Sequence, residues 1–300
     1  MMEFVAVGRL EATRMLNRRE LLQAGAAGIV LAQTGRLSAQ SASEALRSAP
    51  IAALDPFGPP ENYTRVRPLF FEPDAGRAAV ERFWREYESG KDLRMAERAF
   101  VYAFAWFRAE RSQGRRLQIL KVSQKMTAVV SQDHARHPAG PVWGSVFLGM
   151  EAVTSGILNT LKLMPIYMNL LEKAQQIDPD YYYGISGLLR AKLYTKAPPF
   201  PVSVGNPAKA WPELQRMEPL AKGIWSTWYL ACAEAELARG GKAAAYRWLD
   251  RMTSEIKPRL AHLAYDLEIA KRDATSFREV VESGTYDKYT WDPVTVIPEG

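Results

Sequence analysis

Proline junctions return at almost even intervals along this chain. They fall at His137-Pro138, Asp178-Pro179, Glu218-Pro219 and Lys257-Pro258, spaced 41, 40 and 39 residues apart. Proline cannot continue a helix and biases the residue before it away from helical geometry, so each junction reads as one helix stopping and another starting. Between the junctions the pattern is helical. Leu93, Ala96, Phe100, Phe104 and Phe107 step by 3, 4, 4 and 3, and Ile224, Trp228, Ala231, Ala235 and Ala238 step by 4, 3, 4 and 3. Both series trace one face of a 3.6-residue helix. Beyond residue 39 the sequence shows no comparable strand alternation, which predicts an all-α αα-superhelix of helix pairs repeating about every 40 residues. Small-residue stripes, Ser145-Gly149-Ala152-Gly156 and Gly184-Gly187-Ala191, are expected where helix backbones approach closely.

Domain limits follow from where this pattern begins and ends. Helical periodicity is expected across 74–283. Residues 40–73 are proline-rich, with Phe57-Gly58-Pro59-Pro60 among them, and read as an extended arm; 284–300 lack helical period and read as an extended tail carrying Tyr286, Tyr289 and Trp291. The tail is expected either to pack along the superhelix or to dock on a partner.

The first 39 residues read as an address. Arg18-Arg19 precede a mildly apolar run from Leu21 to Ala32, and small residues follow around Ala39. That order is the plan of a bacterial export signal, and the paired arginines resemble the twin-arginine type, with Met15 a candidate start. The run is too short for a membrane span, which needs about 20 residues. No cysteine follows it to take a lipid, so a periplasmic, unanchored protein is expected.

Charge and cysteine usage remove several function classes. The net charge is +6; without the five Arg and three Glu of residues 1–39 it becomes +4, with no long basic run, so a nucleic-acid reader is not expected. One cysteine, Cys232, excludes an internal disulfide and any multi-cysteine metal site, and its alanine-rich helical setting reads as a buried, inert thiol. His134 and His137 stand three apart beside Asp133, but at a helix end without a third ligand at useful spacing, so no metal is expected. Phosphate-loop, nucleophile-elbow and zinc-protease motifs are absent from the sequence, no cofactor fingerprint is present, and the chain reads as a non-enzyme.

Aromatic residues recur just after the junctions: Trp143, Tyr181-Tyr182-Tyr183, then Trp225 and Trp228. Three consecutive residues cannot share one helix face, so at least one tyrosine is expected to point away from the core. Packing between helices is one role for these rings; lining a groove or channel for an apolar or extended ligand is the other. Candidate ligand- or partner-binding residues are therefore Trp143, Tyr181, Tyr182, Tyr183, Arg190, Tyr194, Phe200 and Asn206. Phe200 lies in a proline-stiffened loop, Ala197-Pro198-Pro199-Phe200-Pro201, as either a plug for the local core or a fixed contact on a binding face.

Leu171 to Gly184, L-E-K-A-Q-Q-I-D-P-D-Y-Y-Y-G, resembles a junction of tetratricopeptide repeats, with Ala174 five residues before Pro179 and aromatics opening the next helix. The period near 40 rather than 34 marks degenerate, loop-expanded units. The run Gly187 to Tyr194, the proline loop and Val204-Gly205-Asn206 together are similar to a segment of the T-component family of tripartite (TRAP-type) transporters. That resemblance implies an all-helical periplasmic protein of degenerate tetratricopeptide-like pairs, associated with an extracytoplasmic solute-binding subunit and able to form ring-like homo-oligomers. Family members are commonly lipoproteins, and this chain lacks their lipid-bearing cysteine. A general periplasmic tetratricopeptide-like scaffold without a transport role is the alternative expectation.

Overall fold

Eleven α-helices and three short 3₁₀ turns account for most of residues 49–295, the residues that the computed structural model describes. The export-signal reading of residues 1–39 lies outside the described residues. The helices are α1 (Tyr63–Phe71), α2 (Pro73–Gly90), α3 (Leu93–Ala109), α4 (Gln113–Asp133), α5 (Ala139–Ser155) and α6 (Ile157–Ile177). They continue with α7 (Tyr181–Lys196), α8 (Pro207–Ala221), α9 (Ser226–Ala238), α10 (Lys242–Glu255) and α11 (Ala261–Glu282). Among the described residues no strand forms; the one bridge, Pro199 to Gly205, lies inside the proline loop. The all-α superhelix expected from the periodicity is the architecture observed.

Local chemistry sets most boundaries. Asp92 caps α3 by accepting the Arg94 N–H at 3.0 Å, and Asn206 caps α8 by accepting that of Ala208 at 3.1 Å. Pro73 and Pro207 open α2 and α8, where the missing N–H would have had no partner anyway. Pro138, Pro179 and Pro258 fall between helices as expected. Pro219 does not: it sits in the last turn of α8, which runs on to Ala221, and the break follows at Gly223 with φ of 73°. A proline near a helix end forfeits one hydrogen bond without stopping the helix, so spacing placed that junction a few residues early.

The helices form two layers. Within each repeat an inner helix packs on the outer helix that follows it: α3 on α4, α5 on α6, α7 on α8, α9 on α10. Inner helices also touch in succession, from α3 through α5, α7 and α9 to α11. Glycine permits the close approaches. A Cβ at Gly149 of α5 would meet the Tyr167 ring of α6 at 3.0 Å, and one at Gly187 of α7 would meet Arg216 of α8 at 2.7 Å.

The series then closes on itself, because α11 packs against α1 and the turn before it. The seam has backbone, polar and aromatic parts. Ala261 and His262 donate their N–H groups to the carbonyls of Gly58 (2.9 Å) and Pro56 (2.8 Å). Tyr63 Oη donates to Glu268 Oε2 at 2.6 Å, and Arg67 pairs with Glu268 Oε1 at 2.5 Å. Phe70 stacks on Tyr265 with ring centroids 4.4 Å apart.

The extended-arm reading of 40–73 is therefore corrected over its described part. Residues 63–71 are helical, and Leu54, Val66, Leu69 and Phe70 are buried in the core. Pro59, Pro60 and Pro73 occupy turn and helix-start positions that tolerate them, whereas Pro68 lies inside α1 near its end; the spacing of Val66, Leu69 and Phe70 is a helical stripe too short to stand out. The tail is likewise not extended throughout: it turns at 288–290, forms a 3₁₀ turn at Pro293–Thr295, and packs back with Trp291 5.1 Å from Phe277.

Because Phe70 is fully buried in the seam, Phe70→Ala is expected to cost about 3–5 kcal/mol of unfolding free energy in urea titrations. A loss within about 0.5 kcal/mol, the value for an exposed arm, would contradict the closure.

Candidate functional site

The inner helices surround a partly open cavity of about 860 Å³. That is within the range of small-molecule pockets, roughly 300–1,000 Å³. Its walls come from α3, α5, α6, α7, α9 and α11, and the tail covers part of it. Side chains such as Val146, Met150, Met164 and Leu189 make the walls largely apolar.

One end is aromatic. The Tyr182 ring stands edge-on to Trp143 (5.3 Å), Trp225 (6.1 Å) and Phe57 (6.4 Å), with His262 at 5.7 Å. His262 Nδ1 lies 3.1 Å from the Pro56 carbonyl, which can only accept, so the proton sits on Nδ1. Nε2 is left as a buried acceptor without a hydrogen-bond partner among the described residues. Burial pulls this imidazole down to about 4, against the opposing effects of the Pro56 carbonyl and Asp55. Nearby, Asp266 accepts hydrogen bonds from Ser226 Oγ, from Thr227 Oγ1 at 2.7 Å and from Thr227 N–H at 3.3 Å; burial raises its carboxyl despite them.

The other end is charged. Asp292 of the tail meets Lys196 Nζ at 2.7 Å and Lys192 Nζ at 3.1 Å. Lys196 also faces Glu234 at 3.1 Å and donates to the Trp291 carbonyl at 2.9 Å. Arg108 and Asp273, both buried, pair at 2.8 Å. Burial works against the Asp292 charge, but Lys192 and Lys196 outweigh it and hold the carboxyl well below the usual range. Burial likewise depresses Lys192, yet Asp292 and Glu234 push it up to about 12. Ile185, Leu188, Lys192 and Lys196 lie along one stripe of α7, so the two ends are separated by about 16 Å of helix.

The sequence-predicted residues divide sharply. Trp143 and Tyr182 meet at the aromatic end. Tyr181 instead donates to Glu97 at 2.5 Å, and Tyr183 packs on Trp225 at 5.8 Å. The expectation that one tyrosine would point away from the core is corrected, since all three pack against it. Tyr182, Tyr183 and Gly184 hold left-handed angles, with φ of 48°, 61° and 76°, so this turn is not a regular helix and fans its rings. Such angles cost a non-glycine residue about 1–2 kcal/mol, which ring packing must offset.

The remaining candidates lie away from the cavity. Arg190 pairs with Glu213 at 2.9 Å and donates to Gln175, tying α7 to its neighbours. Asn206 is the α8 cap described above, and its N–H donates to the Tyr194 carbonyl at 2.8 Å. Phe200 is 88% exposed at the loop tip beside Val202, which rules out the core-plug role. Gly205 seals the loop base, where a Cβ would lie 1.9 Å from the Ala197 carbonyl.

Arg108, Lys192, Lys196, Glu234, Asp266, Asp273 and Asp292 were not singled out from sequence as a group. A signal did exist: several are charged residues at apolar-stripe positions of inner helices. Cys232 is buried, and burial raises its thiol well above the ordinary value. His137 Nδ1 accepts the Ala139 N–H at 3.2 Å. Among the described residues no group of three or more metal-ligating side chains converges, and no helix is long and apolar enough to cross a membrane.

Fold and site together define an all-α helical-repeat protein whose inner helices surround a largely apolar, partly open cavity. In comparisons with known proteins, the chain matches no family model and none of the curated proteins.

Two measurements check this geometry. Above about pH 6.5 His262 is neutral both folded and unfolded; between 6.5 and 4 the unfolded chain takes up a proton that the folded one does not, so stability falls on acidification. From about pH 7 to about pH 5 this residue is expected to remove about 2 kcal/mol in urea titrations, a component that His262→Asn abolishes. Phe200→Ala, by contrast, should leave unfolding free energy within about 0.5 kcal/mol of the parent.

Proposed function

We propose that this protein is a binding protein that holds a small, largely apolar organic molecule inside its ring of inner helices. The observation that carries the reading is the apolar chamber of about 860 Å³ with polar groups gathered at its two ends. Such a cavity removes apolar ligand surface from water at about 25 cal/mol per Å², while a few polar groups orient it. The chemistry on offer is enclosure and orientation.

The finer reading is an exported, periplasmic accessory of the TRAP T-component type, working through contact with a solute-binding subunit. Three features support it: the paired-helix repeat, the signal-like residues 1–39, and an exposed apolar loop tip, Phe200 and Val202, suited to a protein partner. Closure of the ring disfavours a general scaffold that grips partners in an open concave groove.

A neutral apolar fluorophore, N-phenyl-1-naphthylamine, is expected to bind with one-to-one stoichiometry. Met164→Trp, which fills the chamber, should weaken it at least tenfold. For the transport role, cross-linking in periplasm should recover a solute-binding protein, and Phe200→Ala should reduce that recovery; no such protein in the cross-linked product argues for the binding function alone.

A further inference from the structure

The tail supplies the chamber's charged end with a carboxylate. Residues 291–294 are pinned by Lys196 through the Trp291 carbonyl and Asp292, by Lys192 through Asp292, and by Arg116 through the Val294 carbonyl. Lys196 also lies over the Trp291 ring at 5.2 Å. The two lysines belong to α7, a wall of the cavity, whereas Asp292 arrives on the tail. Withdrawal of the tail leaves Lys192 and Lys196 facing the cavity with Glu234, on Lys196, as the remaining carboxylate in ion-pair reach among the described residues. Buried ammonium groups without a counter-charge are costly, so a vacated site demands an anion. Asp292, Trp291 and Val294 all line the chamber, so the carboxylate position is continuous with the apolar walls.

We infer that the chamber's ligand is an amphipathic organic monocarboxylate, and that its head group takes the place of Asp292 between Lys192 and Lys196 while the tail swings off as a displaceable strap. This rests on the binding function proposed above and names its ligand class. The apolar body of the ligand runs along α7 from the charged end toward Tyr182 and Trp143, which line the same cavity. Asp292 is then an internal stand-in that keeps the lysines paired while the chamber is empty. Competition between strap and ligand links occupancy to the position of the C-terminal segment.

Decanoate and decanol are the probes, compared by calorimetry on the full chain. The parent protein is expected to bind both, and Asp292→Asn should raise the ratio of decanoate to decanol affinity at least tenfold. Lys192→Met should lower that ratio at least tenfold. Equal changes for the two probes would overturn the anion subsite while leaving the apolar chamber standing. Failure of both probes in every protein would overturn the chamber function together with this inference. Hydrogen exchange on the parent protein gives a readout that needs no variant: decanoate should speed exchange of the amides of Thr290, Trp291, Asp292 and Val294 at least fivefold and decanol should not. Unchanged exchange with bound decanoate would overturn strap displacement.

Discussion

The contact between residues 55–71 and α11 decides what kind of object this helical array becomes. In a solenoid each repeat touches only its neighbours, and the two ends stay apart. Here the ends meet through two backbone hydrogen bonds, the Tyr63–Arg67–Glu268 cluster and the Phe70–Tyr265 stack. The consequence is topological as well as energetic. A concave surface that would otherwise face solvent becomes the wall of a chamber, and His262 is buried between Phe57 and Tyr182. Arg98 and Tyr102 of α3 extend the same clamp, pairing with Asp55 and bonding to the Leu54 carbonyl at 2.6 Å each.

Inside that wall the chain carries more charge than a core needs. Removing one partner of a buried ion pair costs about 3–5 kcal/mol, whereas replacing the whole pair with apolar groups is often neutral or stabilising. Arg108–Asp273 and Lys192–Asp292–Lys196 are therefore poor choices for stability alone. They make sense as polar fixtures at one end of a cavity whose other surfaces are apolar. The aromatic end shows a parallel tension. Tyr182 and Tyr183 adopt left-handed backbone angles, and this turn alone sends one ring to Glu97, one into the chamber and one onto Trp225.

How much of this was legible depends on sequence distance. Helices, their pairing and the position of the proline loop followed from apolar steps of three and four and from proline, signals confined to a few neighbouring residues. Trp143 and Tyr182 were found because aromatics after a junction face inward at the start of an inner helix. Arg190, Asn206 and Phe200 were drawn in by motif and loop composition, but their side chains serve an inter-helix ion pair, a helix cap and an exposed tip. Pro219 misled for a related reason, since proline marks a tendency to end a helix rather than the point where it ends.

Residue order alone was enough for the paired helices of 74–283 and the burial of Cys232, because each depends on local periodicity or on one side chain's hydrophobicity. Tertiary structure decided the rest. The seam joins residues about two hundred positions apart, such as Tyr63 and Glu268, and no local pattern encodes a meeting of the first and last helices of the array. Whether charged residues on five separate elements repel, scatter or converge likewise depends on how the inner helices curve. Their curvature brings Arg108, Lys192, Lys196, Glu234, Asp273 and Asp292 together, and so turns isolated charges on apolar stripes into the polar end of one chamber.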